Sequence, residues 1–416
     1  MNKYFRLNTY CYLEQGNNDG CIYNLHSGKM LVITPKCLDM LLMCEENKKL
    51  VDIPNIDMKF LDCLRDMDMG AYYNSPYYID KDYVGLPPVL EKTLPHNRNI
   101  YTAYVELSTD CNFDCVFCEK ENNVLFRKTG CKRWKNSGKP LNLEYWYSVI
   151  DQLFLVSCQE IVFIGGEPFL YFTYLRNICL YAIKAGIKRI TIYTNCSIIN
   201  ADIIQFLKQY NIKLHIQLLG GNDATYQKVT GKSIHKIVMD NIMLLKKAEI
   251  PLSISYLINC YNDDDVDETI TTLESIIAQK INKEFIYPIP VNKYYSNKYI
   301  KSMYDKKESF KYANLNIHSF CNAKKQHNCY AYSIGITADG NVIPCIMSRD
   351  FVLGNVKEKS LCEILIKSKY DYYTELNKDK INKCKSCSLR YGCFDCRALE
   401  YSATSDTLGM KYCDRK

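Results

Sequence analysis

Three cysteines fall within eight residues, Cys111-Asn-Phe-Asp-Cys115-Val-Phe-Cys118, directly after a run that reads as a β-strand, Ala103–Leu107. No other feature constrains the chain as much. Thiolates this close in sequence must come from a tight, folded-back loop. Three of them make an incomplete ligand set for a four-iron cubane, which takes four, so one iron is left open. The spacing alone has limited weight, because 22 of the 416 residues are cysteine. Its position carries more, since sites in α/β sheets lie at the C-terminal ends of strands. The competing reading is a zinc site short of one ligand.

The surrounding sequence alternates strand and helix. Strands are expected at Ala103–Leu107, Ile161–Ile164, Ile190–Tyr193, Leu214–Leu218, Leu252–Leu257 and Glu284–Tyr287. Amphipathic stretches such as Leu143, Trp146, Ile150, Leu153 and Ile203, Phe206, Leu207, Tyr210 separate them. Units of about 30 residues imply a parallel sheet covered by helices. Six units are too few for an eight-fold barrel, so the fold class is α/β with a partial (β/α)6 barrel.

Two further textures flank this region. Residues 1–90 begin with strand-like runs Tyr10–Leu13, Cys21–Leu25 and Lys29–Ile33, divided by Asn18-Asp19-Gly20 and His26-Ser27-Gly28. Pro35 then opens a helix, and Phe60, Leu61, Leu64 and Met67 mark another. This pattern predicts a winged-helix-like α+β domain, followed by a linker over Asp82–Pro95. The tail, residues 321–416, carries nine cysteines and few core formers, and such a segment needs metal staples to fold.

No apolar run reaches the length of a membrane helix, and the first residues lack the pattern of a signal peptide. The chain reads as cytoplasmic, with no membrane association. A net charge of +7, spread without a basic block, argues for a solvated surface and against nucleic acid as a partner. Clustered cysteines in a reducing compartment are ligands or catalytic groups. Scattered ones (Cys11, Cys37, Cys63, Cys158, Cys179, Cys260) read as small buried hydrophobes. Cys131 and Cys196, near strand ends, read first as buried thiols and second as hydrogen donors.

The Cys111, Cys115, Cys118 loop resembles that of the radical S-adenosylmethionine (SAM) superfamily, and the next strands agree. Gly165-Gly166-Glu167-Pro168 follows the second strand, as in that superfamily, where the turn meets the cofactor's amino group. Thr194-Asn195 ends the third strand like the family's polar step near the ribose. Gln217-Leu218-Leu219-Gly220 stands where relatives often have Ser-x-Asp-Gly, with Gln217 the replacement contact. The resemblance implies a radical SAM barrel over residues 100–310. It also implies S-adenosylmethionine cleaved to a 5′-deoxyadenosyl radical, with electrons from a flavodoxin- or ferredoxin-type donor.

The tail resembles the SPASM domain, which holds auxiliary [4Fe–4S] clusters. That resemblance assigns Cys321, Cys329, Cys345 and Cys396 to one cluster and Cys384, Cys387, Cys393 and Cys413 to another, three clusters in all. The gap from Cys393 to Cys396 is one residue shorter than is usual in that family. A zinc ribbon on Cys384, Cys387, Cys393 and Cys396 is the alternative. The N-terminal segment resembles the leader-recognition domain of ribosomal-peptide (RiPP) maturases, which implies a precursor peptide as partner, added as a strand at a sheet edge. The expected reaction is hydrogen abstraction from that peptide and cross-linking, thioether first and carbon–carbon second. Formylglycine formation of the anaerobic sulfatase-maturing type is an alternative. It uses a carboxylate directly after the cysteine matching Cys345, and here Ile346 follows. A non-catalytic iron–sulfur electron carrier is the alternative from another class.

Overall fold

The structure is a computed structural model. It describes residues 3–78, 100–118, 141–286, 295–296, 298–299, 315–366, 368–393 and 396–413. The expected linker, Tyr287 and Cys131 lie outside the described residues.

The N-terminal unit builds two antiparallel sheets around a small core. Strand β1 (Tyr4–Leu7) pairs with β5 (Gly70–Tyr73), and β2 (Cys11–Gln15), β3 (Gly20–Asn24) and β4 (Lys29–Ile33) form the second sheet in that order. Between them run α1 (Pro35–Glu45) and α2 (Met58–Asp66). Thr34 caps α1 by accepting from the Cys37 N–H, with Pro35 in the first turn, where its missing N–H costs nothing. Phe5, Leu7, Ile22, Ile33, Leu41, Leu61 and Leu64 close the core. The sequence predicted β2 to β4 and both helices; it did not predict β1 or β5.

The central sheet starts with β6 (Thr102–Ser108), β7 (Glu160–Gly165), β8 (Arg189–Thr194), β9 (Lys213–Leu218), β10 (Leu252–Ile258) and β11 (Ile281–Phe285), all parallel. Helices α3 (Leu143–Leu155), α4 (Phe172–Ala185), α5 (Ala201–Gln209), α6 (Asp223–Thr230), α7 (His235–Lys247) and α8 (Val266–Ile277) alternate with the strands. The six expected units are present. The last strand is shifted toward the N-terminus of the predicted one.

Register partners in a parallel sheet share a face, and alternate residues point opposite ways. One face of β6 to β10 carries Val105, Phe163, Ile192, Ile216 and Ile254, buried together with Trp146, Ile150, Leu175 and Ile178 of the helices. The other face carries Glu106 on β6, Thr191 and Tyr193 on β8, His215 and Gln217 on β9, and Ser253 and Ser255 on β10. Strand β7 adds Val162 and Ile164 to this face, while Glu106, Thr191, His215, Gln217 and Ser255 are buried polar groups on it and Tyr193 and Ser253 are half-buried. His215 bridges Ser253 Oγ at 2.9 Å and Ser255 Oγ at 3.0 Å and stacks on Tyr193 at 4.2 Å. A buried polar interior that is this well bonded belongs to the inner wall of a partial barrel.

The tail joins the same sheet. After α9 (Ile317–Lys325), strand β12 (Ser333–Ile336) pairs in parallel with β6, and β13 (Asn341–Ile343) and β14 (Gly354–Asn355) extend the sheet antiparallel. Helices α10 (Leu361–Leu365), α11 (Ser368–Thr374) and α12 (Arg397–Thr404) complete it. Cys11, Cys158 and Cys179 are buried as expected, but Cys63 and Cys260 are exposed. Among the described residues no helix is long and apolar enough to cross a membrane.

Candidate active site and iron–sulfur centres

Residues 109–118 leave the C-terminal end of β6 and are held from three sides. The Gly166 N–H donates to the Ser108 carbonyl at 2.9 Å and the Glu167 N–H to the Asp110 carbonyl at 2.8 Å. The last carbonyls of α6, which have no helical partner, accept from the loop: Val229 from Val116 at 2.9 Å and Thr230 from Asp114 at 3.2 Å. The β8 end supplies the third tie, where Asn195 Nδ2 donates to Asn112 Oδ1 at 2.9 Å and Asn112 Nδ2 to Ser197 Oγ at 2.8 Å. The Cys111 sulfur accepts from the Phe113 N–H at 3.4 Å and from Asn195 Nδ2 at 3.8 Å. Hydrogen bonds to ligand sulfur tune an iron–sulfur centre.

The Gly-Gly-Glu-Pro turn has its own geometry. A Cβ on Gly165 would sit 2.1 Å from the Ser108 carbonyl oxygen, and one on Gly166 would sit 1.8 Å from the Asp110 oxygen. The close approach these glycines permit is therefore to the cysteine loop. Pro168 begins a single 3₁₀ turn capped by Glu167, whose carboxylate accepts from the Phe169 N–H at 3.1 Å.

That carboxylate also accepts from Thr194 Oγ1 at 2.9 Å and from the Asn195 N–H at 2.8 Å. Glu167 thus knots the ends of β7 and β8, and the polar atoms of Thr194 and Asn195 are spent on the loops. Burial pushes the Glu167 carboxyl up from 4.5 to about 7, against the opposing pull of its donors. The folded chain then holds this proton more tightly than the unfolded one. Stability contributed here is present below pH 4.5 and declines as pH rises to about 7, a loss of about 3 kcal/mol. Glu167→Gln has no such pH dependence. Melting curves from pH 5 to pH 8 are expected to show the variant gaining on the wild type as pH rises, and parallel curves would mean that Glu167 is already ionised at pH 5.

Gln217 differs from its neighbours. It is 2 % exposed on the inner wall, and neither its Oε1 nor its Nε2 has a hydrogen-bond partner. A buried amide left unbonded costs roughly 1–3 kcal/mol, so a polar ligand in the barrel would satisfy it. Cys196 is fully buried, its thiol pushed up by that burial.

In the tail several of the expected ligands line shared pockets, although among the described residues no group of three or more His, Cys, Asp or Glu side chains is close enough to hold a single metal ion. Cys384, Cys387, Cys393 and Cys413 line one small pocket, together with Lys378, Lys383 and Arg390. Four thiolates beside three cations fit an iron–sulfur cluster whose ligands make it anionic. Cys345 and Cys396 both lie within electrostatic reach of the buried Tyr330, which follows Cys329 in the chain. Cys329 shares a second pocket with Cys393 and Lys378. Cys321 sits on α9, and Cys362 on α10. Sequence reasoning missed the clamp beside Cys413. Arg397 Nη1 donates to the Gly409 carbonyl at 2.8 Å, and Glu400 accepts from the Lys411 N–H at 2.5 Å, which fixes the segment leading to Cys413.

A family model described as the Radical SAM superfamily matches residues 105–273, and one described as an iron–sulfur cluster-binding domain, SPASM, matches residues 329–388. This is a radical SAM enzyme with a SPASM domain. The enzyme is 22% identical to the AdoMet-dependent heme synthase of Methanosarcina barkeri, over 74% of this chain and 94% of that one. Its fold is similar to that of anSMEcpe with bound AdoMet and Cp18Cys peptide (TM-score 0.55, 18% identity, 75% of this chain and 93% of the other). It is also similar to Streptococcus suis SuiB bound to precursor peptide SuiA (TM-score 0.56, 15% identity, 99% and 100%).

Proposed function

We propose that this radical SAM SPASM enzyme matures a ribosomally made precursor peptide by cross-linking it through a thioether, with a carbon–carbon link as the alternative product. The observation that carries the reading is the N-terminal sheet. Strand β4 lies at its edge and, among the described residues, pairs only with β3. Such an edge is a template for an added strand, which gives a peptide affinity through its backbone. The likeness in fold to SuiB runs through this part of the chain as well, and SuiB binds a precursor peptide.

When bound, the cluster and S-adenosylmethionine supply a 5′-deoxyadenosyl radical. Cys111, Cys115 and Cys118 hold that cluster in this reading, and the ties from Gly166, Glu167, Asn195 and α6 keep the loop in place. Gln217 offers a donor and an acceptor to the ligand in the barrel. Cys321, Cys329, Cys345 and Cys396, and Cys384, Cys387, Cys393 and Cys413, hold the two auxiliary clusters. Formylglycine chemistry is less well served, because the residue after Cys345 is Ile346, buried and apolar.

The test uses anaerobically reconstituted enzyme, S-adenosylmethionine, a reductant and the peptide encoded beside the enzyme's gene. Wild type is expected to release 5′-deoxyadenosine, and the peptide to lose two hydrogens in mass. A thioether would also remove one thiol from reaction with iodoacetamide. Cys115→Ala is expected to carry about four fewer irons per chain and to release no 5′-deoxyadenosine. A peptide of unchanged mass beside normal 5′-deoxyadenosine release would defeat the cross-linking assignment.

A further inference from the structure

The pocket lined by Cys384, Cys387, Cys393 and Cys413 has a wall that comes from the other end of the chain. Asn17, Asn18 and Asp19, the turn between β2 and β3, line it. The Asn17 N–H donates to the Ser386 carbonyl at 2.9 Å. Ser388 Oγ donates to Asp19 Oδ1 at 2.6 Å, and the Tyr23 hydroxyl to the Ser388 carbonyl at 2.6 Å. Arg390 donates to the Glu14 carboxylate at 2.8 Å and to the Gln15 carbonyl at 3.0 Å. The approach is close enough that a Cβ on Gly16 would sit 2.8 Å from the Ser388 nitrogen.

Behind these polar contacts the two ends of the chain share an apolar cluster. Phe320 lies 5.1 Å from the Tyr23 ring and 5.4 Å from the Tyr391 ring, and Leu389 packs with them. Buried aromatics of this kind carry much of an interface's energy. The turn is therefore fixed against the cysteine loop and does not merely rest near it.

We propose that the Asn17–Asp19 turn is the closing wall of the second auxiliary iron–sulfur site, and that Asp19 places there a carboxylate that lowers the reduction potential of the cluster. The inference rests on reading those four cysteines as cluster ligands. Reduction adds negative charge to a cluster that four thiolates already make anionic. A fixed carboxylate opposes that step, and Lys378, Lys383 and Arg390, which also line the pocket, favour it. The turn also keeps water from one side of the site, which acts on the same potential. The N-terminal sheet and this cluster thus form one electrostatic unit.

The experiment is an EPR-monitored redox titration of the full-length, reconstituted enzyme. Asp19→Asn keeps the side-chain shape and the acceptor for Ser388 while removing the charge. It is expected to raise the potential of one cluster and leave the other two unmoved. Asn18→Asp adds a charge in the same turn and is expected to lower the potential of that same cluster. Asp52→Asn, in the N-terminal unit but away from the pocket, is expected to move none. The affected signal should be the one that Cys384→Ala lacks. If Cys384→Ala keeps its full iron and all three signals, the ligand assignment fails, whatever the turn does. If Cys384→Ala loses one cluster while Asp19→Asn and Asn18→Asp leave every potential unchanged at full iron content, the wall assignment is overturned.

Discussion

Gly166→Ala is expected to reduce 5′-deoxyadenosine formation at least about 100-fold while leaving the secondary structure intact. The new methyl would lie 1.8 Å from the Asp110 oxygen, 2.3 Å from the Asp110 carbonyl carbon and 2.8 Å from the Thr109 oxygen. All three are backbone atoms, so no side chain can rotate away. Relief requires the turn and the cysteine loop to move apart by more than an ångström. That movement would break the bonds from Gly166 to Ser108 and from Glu167 to Asp110, which end one residue before Cys111. A displacement of about 1 Å at a reacting centre can cost 10²-fold in rate. The iron held by Cys111, Cys115 and Cys118 should fall as well, because the loop supplies all three thiolates. Gly354→Ala is the comparison: its nearest contacts would all be side-chain atoms of Ile364, the closest at 2.9 Å, with no backbone atom among them. Iron content, circular dichroism and 5′-deoxyadenosine release check the pair. A Gly166→Ala enzyme of wild-type rate and iron content would mean that the loop can be held without this close approach.

The central sheet was legible because its strands alternate with helices and carry a near-continuous apolar pattern on the helix side. Strand β11 was placed late because Asn282 and Lys283 are exposed, so the Ile281–Phe285 stretch has no apolar run. Strands β1 and β5 went unseen for a different reason. Each is four residues long, and Tyr4 finds Tyr73 only through the folded core. The pairing of β12 with β6 is similar, joining Ser333 to Thr102 with no local signal.

The same division runs through the site. Cysteine spacing and the Gly-Gly-Glu-Pro turn are local patterns, and they pointed to the loop. Asp19 against Ser388, Arg397 against Gly409 and Arg349 against Glu106 are pairings set by tertiary structure. Residue types alone could not have predicted them. The two glycines of the Gly-Gly-Glu-Pro turn also admit the backbone of Ser108 and Asp110 at close range. That approach is visible only once β6 and β7 are side by side.

Arg349→Met is expected to destabilise the enzyme by about 3–5 kcal/mol, more than a surface substitution would, because it strands a buried carboxylate. Glu106 lies on the inner face of β6, and its side chain is 1% exposed; that of Arg349 is 11% exposed. Arg349 Nη1 donates to Glu106 Oε2 at 3.2 Å, Nη2 bonds the other oxygen, and the Ala338 N–H donates to Oε2 at 3.2 Å. The carboxylate thus has three donors, two of them from one guanidinium four residues beyond Cys345. The pair links the strand that launches the cysteine loop to the loop of the tail that carries Cys345. Loss of Arg349 alone should lower the melting temperature by on the order of 10 °C. The double variant Glu106→Leu, Arg349→Met removes both charges and should recover most of that loss, since apolar replacement of a buried pair is often neutral. The Ala338 N–H keeps the recovery incomplete, because it loses its acceptor in the double variant. A double-mutant cycle on thermal melts isolates the coupling between the two residues. Equal losses in the Arg349→Met and double variants would show that Glu106 tolerates its burial without the guanidinium. The ion pair would then contribute position, and the stability of the seam would come from the apolar packing around β12 and β13.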